Sequence, residues 1–373
     1  MPRSVCFCII LYFQCEINPL SENQSYYFTG RIVLAKLAPL WYNTDMKASI
    51  KRKLAALTAV ATVFALCGCN QEVAVVLDTP SPWHDGNGAY EKLVYSVAIY
   101  DGGSGEERKT LATGELVFEL TETTGGAYET STLDTRYTVT YTQDADEIER
   151  GLTDTVTSSV VFMTDSLHAS SSQKTVSLAK RADKLDLSYT VTAEYMGENA
   201  HKATVTMTGY DEPTSTEISI PSGTFYDNEM MYYLARSTKL AANSAQSFRM
   251  VNLFDSQNTG KFTNYNMLAS VKQDLAKIDV GDWVKDFGVE AVTDEETGAV
   301  SYPVSCYETG IYINDSKHGP EHYAFYSEKP FTSNGKAHNK IPVLMHYSEY
   351  STSVLTRYTE YKLVSCSFDK AQD

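Results

Sequence analysis

Residues 93–100 read LVYSVAIY, and this stretch indicates the fold class of the chain. β-Branched and aromatic side chains dominate it, and they favour the extended, half-buried surface of a β-strand. The Gly-rich residues 101–105 follow and predict a turn. A strand that ends in a tight turn is the unit from which antiparallel sheets are built.

The same pattern recurs on both sides of this stretch. Residues 203–208 alternate strictly, with Val205 and Met207 on one side and threonines on the other, which is typical of a strand with one packed and one wet face. Further strands are predicted at residues 116–121, 137–141, 155–163, 185–195, 341–347 and 355–366, and a hairpin at 289–304 with its turn at 294–298. We therefore expect one mostly β domain over residues 90–366, built as a large curved antiparallel sheet or half-barrel with one or two short helices. Residues 367–373 are expected to be a tail.

One helix stands apart from the predicted strands. Asp227 is a favourable N-cap for a helix over residues 228–236, with Met230, Met231 and Leu234 on one face. Residues 274–280 fit either a helix or a strand. The predicted helix at residues 228–236 supplies apolar side chains that we expect to lie on the concave side of the sheet.

Residues 46–69 carry the most specific pattern in the chain. Four Lys and Arg precede an uncharged, mostly apolar run of thirteen residues, 54–66. That run is short for a membrane span of about 20 residues but is typical of a signal peptide. It ends in Leu66-Cys67-Gly68-Cys69, which resembles the lipobox of bacterial lipoproteins, although Cys67 stands where Ala or Ser is usual. The resemblance implies a diacylglycerol on Cys69, cleavage after Gly68 and a lipid-anchored, extracytoplasmic location in the bacterial cell envelope.

The predicted signal peptide determines how we interpret the residues on either side of it. A signal peptide that starts at Met46 cannot act behind 45 further residues, so we expect residues 1–45 to be a misassigned start. The alternative is an N-terminal hydrophobic anchor at residues 5–13, which is too short to span a membrane. Residues 69–89 are rich in Pro and Gly and are expected to be a tether between the lipid and the domain.

Charge excludes one class of partner. The chain has 31 Lys and Arg and 47 Asp and Glu, and the first 68 residues contain seven and three of these, so residues 69–373 carry a formal charge of −20. Nucleic-acid binding depends on attraction to phosphate, which such a charge reverses. We expect no nucleic-acid partner.

A weaker resemblance concerns the second half of the chain. The segment FYDNEMMYYLAR at residues 225–236 and the segment IPVLMHY at residues 341–347, before a long last strand, resemble periplasmic domains of unknown function that are similar to the lipoprotein-localisation-factor fold. That resemblance implies an antiparallel sheet curled around an apolar groove, and binding of an acyl chain or a similar ligand instead of catalysis.

Three short stretches match catalytic or metal-binding motifs only in part. HGPEH at residues 318–322 matches a zinc-peptidase pattern, but Gly-Pro inside it opposes the helix that this chemistry needs. SSQK at residues 171–174 lacks the partner motifs of Ser-Lys enzymes. The acidic residues 144–149 lack the spaced ligands of a calcium loop. We predict no catalytic residue, no metal ligand and no cofactor.

Two cysteines remain beyond the lipid site, Cys306 and Cys366, and both lie in strand patterns. An exported domain with two cysteines favours a disulfide between them. Two buried free thiols are the alternative.

Three functional classes remain open. The predicted function is that of a lipoprotein that binds an apolar or lipid-like ligand in a groove lined by Met230, Met231 and Leu234. The alternative is a surface interaction or structural lipoprotein, with a filled interior and an exposed Tyr-rich face. An enzyme needs a polar cluster with shifted pKa values in a cleft, and it is not the class we predict.

Overall fold

The computed structural model divides the chain into two compact units, residues 1–78 and residues 79–373. The structure describes residues 13–19, 26–32, 90–102, 108–123, 129–144, 148–178, 187–195, 202–207, 214–219, 226–237, 240–252, 263–313, 319–351 and 354–369. The predicted signal peptide, Cys69 and the tether up to residue 89 lie outside these ranges.

The first unit contributes one described hairpin. Strand β1 (Phe13–Pro19) pairs with β2 (Tyr26–Ile32) in antiparallel register, Phe13 opposite Ile32.

The second unit is built almost entirely of strands. Its strands are β3 (Tyr90–Asp101), β4 (Thr110–Thr123), β5 (Thr130–Tyr141), β6 (Thr153–Met163), β7 (Ala169–Leu178), β8 (Leu187–Glu194), β9 (Lys202–Met207), β10 (Thr214–Ser219), β11 (Tyr226–Asp227), β12 (Ala245–Asn252), β13 (Thr263–Asp279), β14 (Val292–Thr293), β15 (Val300–Ser301), β16 (Pro303–Ile313), β17 (His322–Ser327), β18 (Phe331–Ser333), β19 (Lys336–His338), β20 (Pro342–Ser351) and β21 (Val354–Ser367). Its helices are a 3₁₀ turn (Asn228–Met230), the α-helix α1 (Met231–Ser237) and a second 3₁₀ helix (Asp282–Phe287).

Fifteen of these strands form one sheet, in the order β10-β9-β8-β7-β6-β5-β4-β3-β21-β20-β17-β16-β13-β12-β11. Neighbours are antiparallel except β11 and β12, which are parallel. The sheet ends at β10 and β11, so the backbone ladder of the described strands is open. β14–β15 and β18–β19 form separate two-stranded sheets. The expected fold class, a large antiparallel half-barrel with short helices, is confirmed.

Strand β3 shows how the sequence makes one side of the sheet apolar. Every second residue is buried, with Leu93 and Tyr95 fully buried and Val97 and Ile99 at 2% and 5% exposure. Residues two apart in a strand point to the same face, so these side chains all enter the core.

The sheet curls around α1. Tyr233 packs edge-on against Phe118 of β4, while Tyr232 contacts His322 of β17. β4 and β17 lie four steps apart in the sheet. One short helix touches both because the sheet between them is curved.

Three local predictions are decided by the structure. Residues 274–280, which fitted helix or strand, belong mainly to the end of β13. The hairpin at residues 289–304 is present as the short pair β14–β15, with Val292 opposite Ser301. The predicted helix after Asp227 is also present, as the 3₁₀ turn followed by α1.

Candidate functional site

The residues Tyr226–Ser237, which we call the inner segment, lie inside the curve of the sheet. Asp227 has extended backbone angles, and its Oδ1 accepts a hydrogen bond from the Glu229 amide at 2.9 Å. This cap satisfies an amide at the start of the helical turn, as the sequence predicted. The helical residues that follow place their apolar side chains against the strands.

The three expected ligand-binding residues all belong to the hydrophobic core. Met230 and Leu234 are fully buried, and Met231 is 7% exposed. They form one cluster with residues from both halves of the sheet, such as Phe162 and Met250. The concave side of the sheet is therefore occupied here by the chain's own side chains.

A buried ion pair fixes the end of the inner segment to the sheet. Arg236 is fully buried, and its two terminal nitrogens donate to the Glu91 carboxylate of β3 at 2.6 and 2.9 Å. Tyr233 donates to Glu91 at 2.9 Å, and Arg236 also donates to the Asn339 carbonyl at 2.6 Å. Burial alone would lower the pKa of Arg236, but the carboxylate of Glu91 raises it instead. The guanidinium is therefore charged and held on two sides.

The start of the inner segment is held by a different set of contacts, which we call the seam. Lys174 of β7 pairs with Glu229 at 2.6 Å, and Tyr195, just after β8, donates to Asp227 at 2.6 Å. The rings of His168 and Tyr226 lie 5.1 Å apart. Burial raises the pKa of Asp227. Burial would also raise the pKa of Glu229, but the ammonium of Lys174 lowers it.

An aromatic cluster surrounds one histidine of the interior. The Tyr232 hydroxyl and His322 Nδ1 are 3.0 Å apart, and the His322 ring stacks on Tyr347 at 4.5 Å. Burial lowers the pKa of His322 to about 4, so the imidazole is neutral at neutral pH. Burial raises the pKa of Tyr232 well above its usual value. Both shifts have burial within this cluster as their main cause.

Tyrosines also gather on the outward side of the same strands, and we call this set the tyrosine face. Paired residues share a face of a sheet, and the register places Tyr323 opposite His346 and Tyr358 opposite Tyr100. Tyr350 is 42% exposed and the others are partly exposed. The face consists of Tyr100, Tyr312, Tyr323, Tyr350 and Tyr358.

Cations rest on two rings of the tyrosine face. The Arg108 guanidinium lies 4.3 Å from the centre of the Tyr358 ring, and the Lys272 ammonium lies 5.5 Å from that of Tyr323. Lys272 is also paired with Glu308. Cation–π contacts of this kind help to fix the two rings in place.

The expected disulfide between Cys306 and Cys366 is wrong. Both thiols are free in the structure, Cys306 buried and Cys366 partly buried. Cys306 lies on β16 and Cys366 on β21, with β17 and β20 between them. Three strand steps separate the two by about 14 Å along the sheet, whereas a disulfide needs Cα atoms within about 7 Å. Burial raises the pKa of the Cys306 thiol to about 12, which makes it a poor nucleophile.

The short motifs lie on strands and turns. His322 of the HGPEH stretch is in β17, while His318 lies outside the described residues. Lys174 of SSQK is in β7 and is engaged by Glu229. Asp144 of the acidic stretch accepts a hydrogen bond from the Arg150 amide at 2.9 Å, and residues 145–147 lie outside the described residues. Within the described ranges, no three His, Cys, Asp or Glu side chains lie close enough together to hold a metal ion.

Comparison with known proteins gives little further information. The chain matches no family model and no curated protein. Among solved structures, it is similar to a β-barrel-like protein of a domain of unknown function, DUF1849, from Brucella abortus. That similarity has a TM-score of 0.39 and 13% identity, and it covers 75% of this chain and 98% of the other. In the described part of the chain, no helix has the length and apolar character that crossing a membrane requires.

Proposed function

We propose that this chain is an extracytoplasmic lipoprotein of the bacterial envelope, anchored by a diacylglycerol on Cys69, whose β domain recognises a protein partner through the tyrosine face. The anchor is supported by the basic start, the apolar run and the lipobox-like end of residues 46–69. Because the anchor holds the domain outside the cytoplasm, its partner lies there too. The partner contains no nucleic acid, since residues 69–373 are strongly acidic. We propose no catalytic role.

The filled interior favours contact with a protein partner over binding of an apolar ligand. A domain that binds an acyl chain needs an open groove lined by Met230, Met231 and Leu234, yet these side chains are between 0% and 7% exposed. Their apolar surface is already covered by the strands around them. An acyl chain would have to displace them, so the interaction function is favoured over the ligand-binding function.

The composition of the tyrosine face suits a protein interface. Tyr and Arg are enriched in interface cores, and a tyrosine loses little conformational freedom on binding because it has only two side-chain torsions. Tyr358 is held between the Tyr100 ring at 6.1 Å and the Arg108 guanidinium, so its orientation is set before a partner arrives. Such preorganisation lowers the entropic cost of association.

Site-specific photo-crosslinking in intact cells tests this function. A photoreactive amino acid at Tyr350 or Tyr323 is expected to give one discrete protein adduct. The same amino acid at Thr157, an exposed position of β6, is expected to give none. Adding Tyr358→Ala to the Tyr350 probe should reduce the adduct at least fivefold, because it removes the ring of the face that Arg108 and Tyr100 hold in place.

Two results would contradict the proposal. One is the absence of an adduct at both tyrosine positions, or equal labelling at Thr157. The other is stoichiometric uptake of an environment-sensitive fatty-acid probe by the folded, delipidated domain, which would favour the apolar-ligand function instead.

A further inference from the structure

The two ends of the inner segment are attached in different ways. At its end, Arg236 is fully buried and makes two hydrogen bonds to Glu91 and one to the Asn339 carbonyl. At its start, the Lys174 and Glu229 side chains of the seam are 27% and 17% exposed. Solvent screens a partly exposed pair far more than a buried one, so the attachment of the start to β7 is weaker than that of the end to β3.

Side chains of the described residues make the contacts that close the seam. Strand β7 already pairs with β6 on one side and β8 on the other. Strand β11 has two residues, and it pairs with β12 through Tyr226 opposite Met250 and Asp227 opposite Val251. Among the described residues, the contacts that join β7 and β8 to the inner segment include the Lys174–Glu229 pair, the hydrogen bonds of Tyr195 and Ser172 to Asp227 and the ring contact of His168 with Tyr226.

Two neighbouring long strands are much harder to separate from each other than β7 and β8 are from the inner segment. β5 and β6 share eleven paired residues and β3 and β4 share eleven, so parting either pair breaks a full ladder of backbone hydrogen bonds. Backbone groups left without partners in an apolar interior are strongly unfavourable. Local openings in proteins occur where few such bonds are lost.

We propose that the inner segment is a strap, fixed to the sheet by Arg236 and Glu91 and released at the seam, so that the half-barrel opens locally between β7–β8 and Tyr226–Glu229. Release uncovers Met230 and Met231 while the Arg236 end stays in place. The strap gives the filled interior a route to solvent without unfolding the sheet. This inference does not depend on the tyrosine face.

Hydrogen exchange of the full chain, followed by mass spectrometry, tests the strap. Lys174→Glu places two carboxylates together at the seam and is expected to raise the exchange rates of amides in residues 226–232 at least tenfold. Exchange in β3 should change less than twofold. The charge-swapped double variant Lys174→Glu with Glu229→Lys is expected to restore most of the protection, because it re-forms the pair in reverse.

Matched variants separate a local release from general damage. Lys92→Glu breaks the exposed Lys92–Glu119 pair on the sheet, whose atoms lie 3.9 Å apart, and should leave exchange in residues 226–232 unchanged. Glu229→Gln and Tyr195→Phe add no charge, so they serve if Lys174→Glu does not fold, and each should raise the same local exchange severalfold. Unchanged exchange in residues 226–232 would overturn the strap. So would an equal rise in those residues and in β3, because that is global unfolding.

Discussion

Arg236 is the largest side chain that the described domain buries completely, and its charge depends on Glu91. Removing one member of a buried ion pair leaves the other charged without compensation, which costs about 3–5 kcal/mol. Arg236→Met is therefore expected to lower the free energy of unfolding by that amount, measured by urea denaturation. The double variant Glu91→Leu with Arg236→Met should recover most of the loss, because it removes both charges.

A matched exposed pair provides the control for this prediction. Glu119→Ala breaks the Lys92–Glu119 contact, whose side chains are 38% and 35% exposed. Exposed pairs contribute at most about 1 kcal/mol. A loss of similar size in Glu119→Ala and Arg236→Met would show that burial of the Glu91 pair does not set its contribution.

The neutral histidine of the interior predicts a pH dependence of stability. Burial holds the pKa of His322 at about 4 in the folded chain, whereas an unfolded histidine has a pKa of about 6.5. The unfolded state therefore binds more protons as the pH falls from about 6.5 to 4, and stability decreases over that window. From pH 7.5 to 5.5 this histidine should account for a loss of about 1.3 kcal/mol.

His322→Gln should remove that share of the pH dependence, measured as the change in urea unfolding free energy between the two pH values. His346 of the outward side also has a pKa of about 4 because of burial, so His346→Gln should remove a similar share. A pH dependence that is unchanged in His322→Gln would mean that His322 has the same pKa in the folded protein as in the unfolded chain, so that burial does not shift it.

Some of these residues leave a signal in the sequence and others do not. Glu91 falls in the same alternating register as Leu93, Tyr95 and Val97, so a buried charge at that position is readable from the pattern of β3. Its partner is not readable, because Arg236 lies 145 residues away and local periodicity carries no information on such pairing. The Cys306–Cys366 prediction failed for the same reason, since it needed the strand order.

At the scale of elements, the inner segment shows what an amphipathic pattern can predict. The cap at Asp227 and the shared direction of Met230 and Leu234 followed from spacing alone. Spacing does not tell whether the apolar face lines an open groove or is covered on all sides. That depends on how tightly fifteen strands curl, which is set by contacts between distant residues.

β4 and β5 approach so closely at Gly114 that no side chain fits there. A Cβ added to Gly114 would lie 1.9 Å from the carbonyl oxygen of Thr138 and 2.7 Å from the Cα of Val139. Both are backbone atoms, so no rotamer change relieves the clash. Gly114→Ala is expected to lower the free energy of unfolding by at least about 2 kcal/mol in urea denaturation.

The neighbouring position is the control for this substitution. Thr113 is exposed on the same strand, and Thr113→Ala should change stability by about 0.5 kcal/mol or less. Equal effects of the two substitutions would indicate that β4 and β5 separate easily and that the close approach at Gly114 is not important.

At the scale of the whole molecule, the proposed anchor makes the plainest prediction. Labelled palmitate should enter the protein in cells, and Cys69→Ser should abolish the labelling because it removes the thiol that accepts the diacylglycerol. A chain that begins at Met46 should be exported and labelled like the full chain. Labelling of Cys69→Ser would contradict the anchor, and failed export from Met46 would contradict the reassigned start.

The pairing of β3 with β21 also affects the order in which the sheet forms during folding. These two strands meet in the middle of the sheet, where Ser96 bonds to the Lys362 carbonyl across 266 residues of chain. On each side, most neighbouring strands are also close in sequence, so each side is able to form hairpin by hairpin. The two half-sheets pair edge to edge only when β21 is present, and contacts over such a sequence distance are slow to form. Exported as we propose, the chain keeps the edges of two half-sheets exposed until β21 has left the secretion channel, so its need of a chaperone is greatest before that strand emerges.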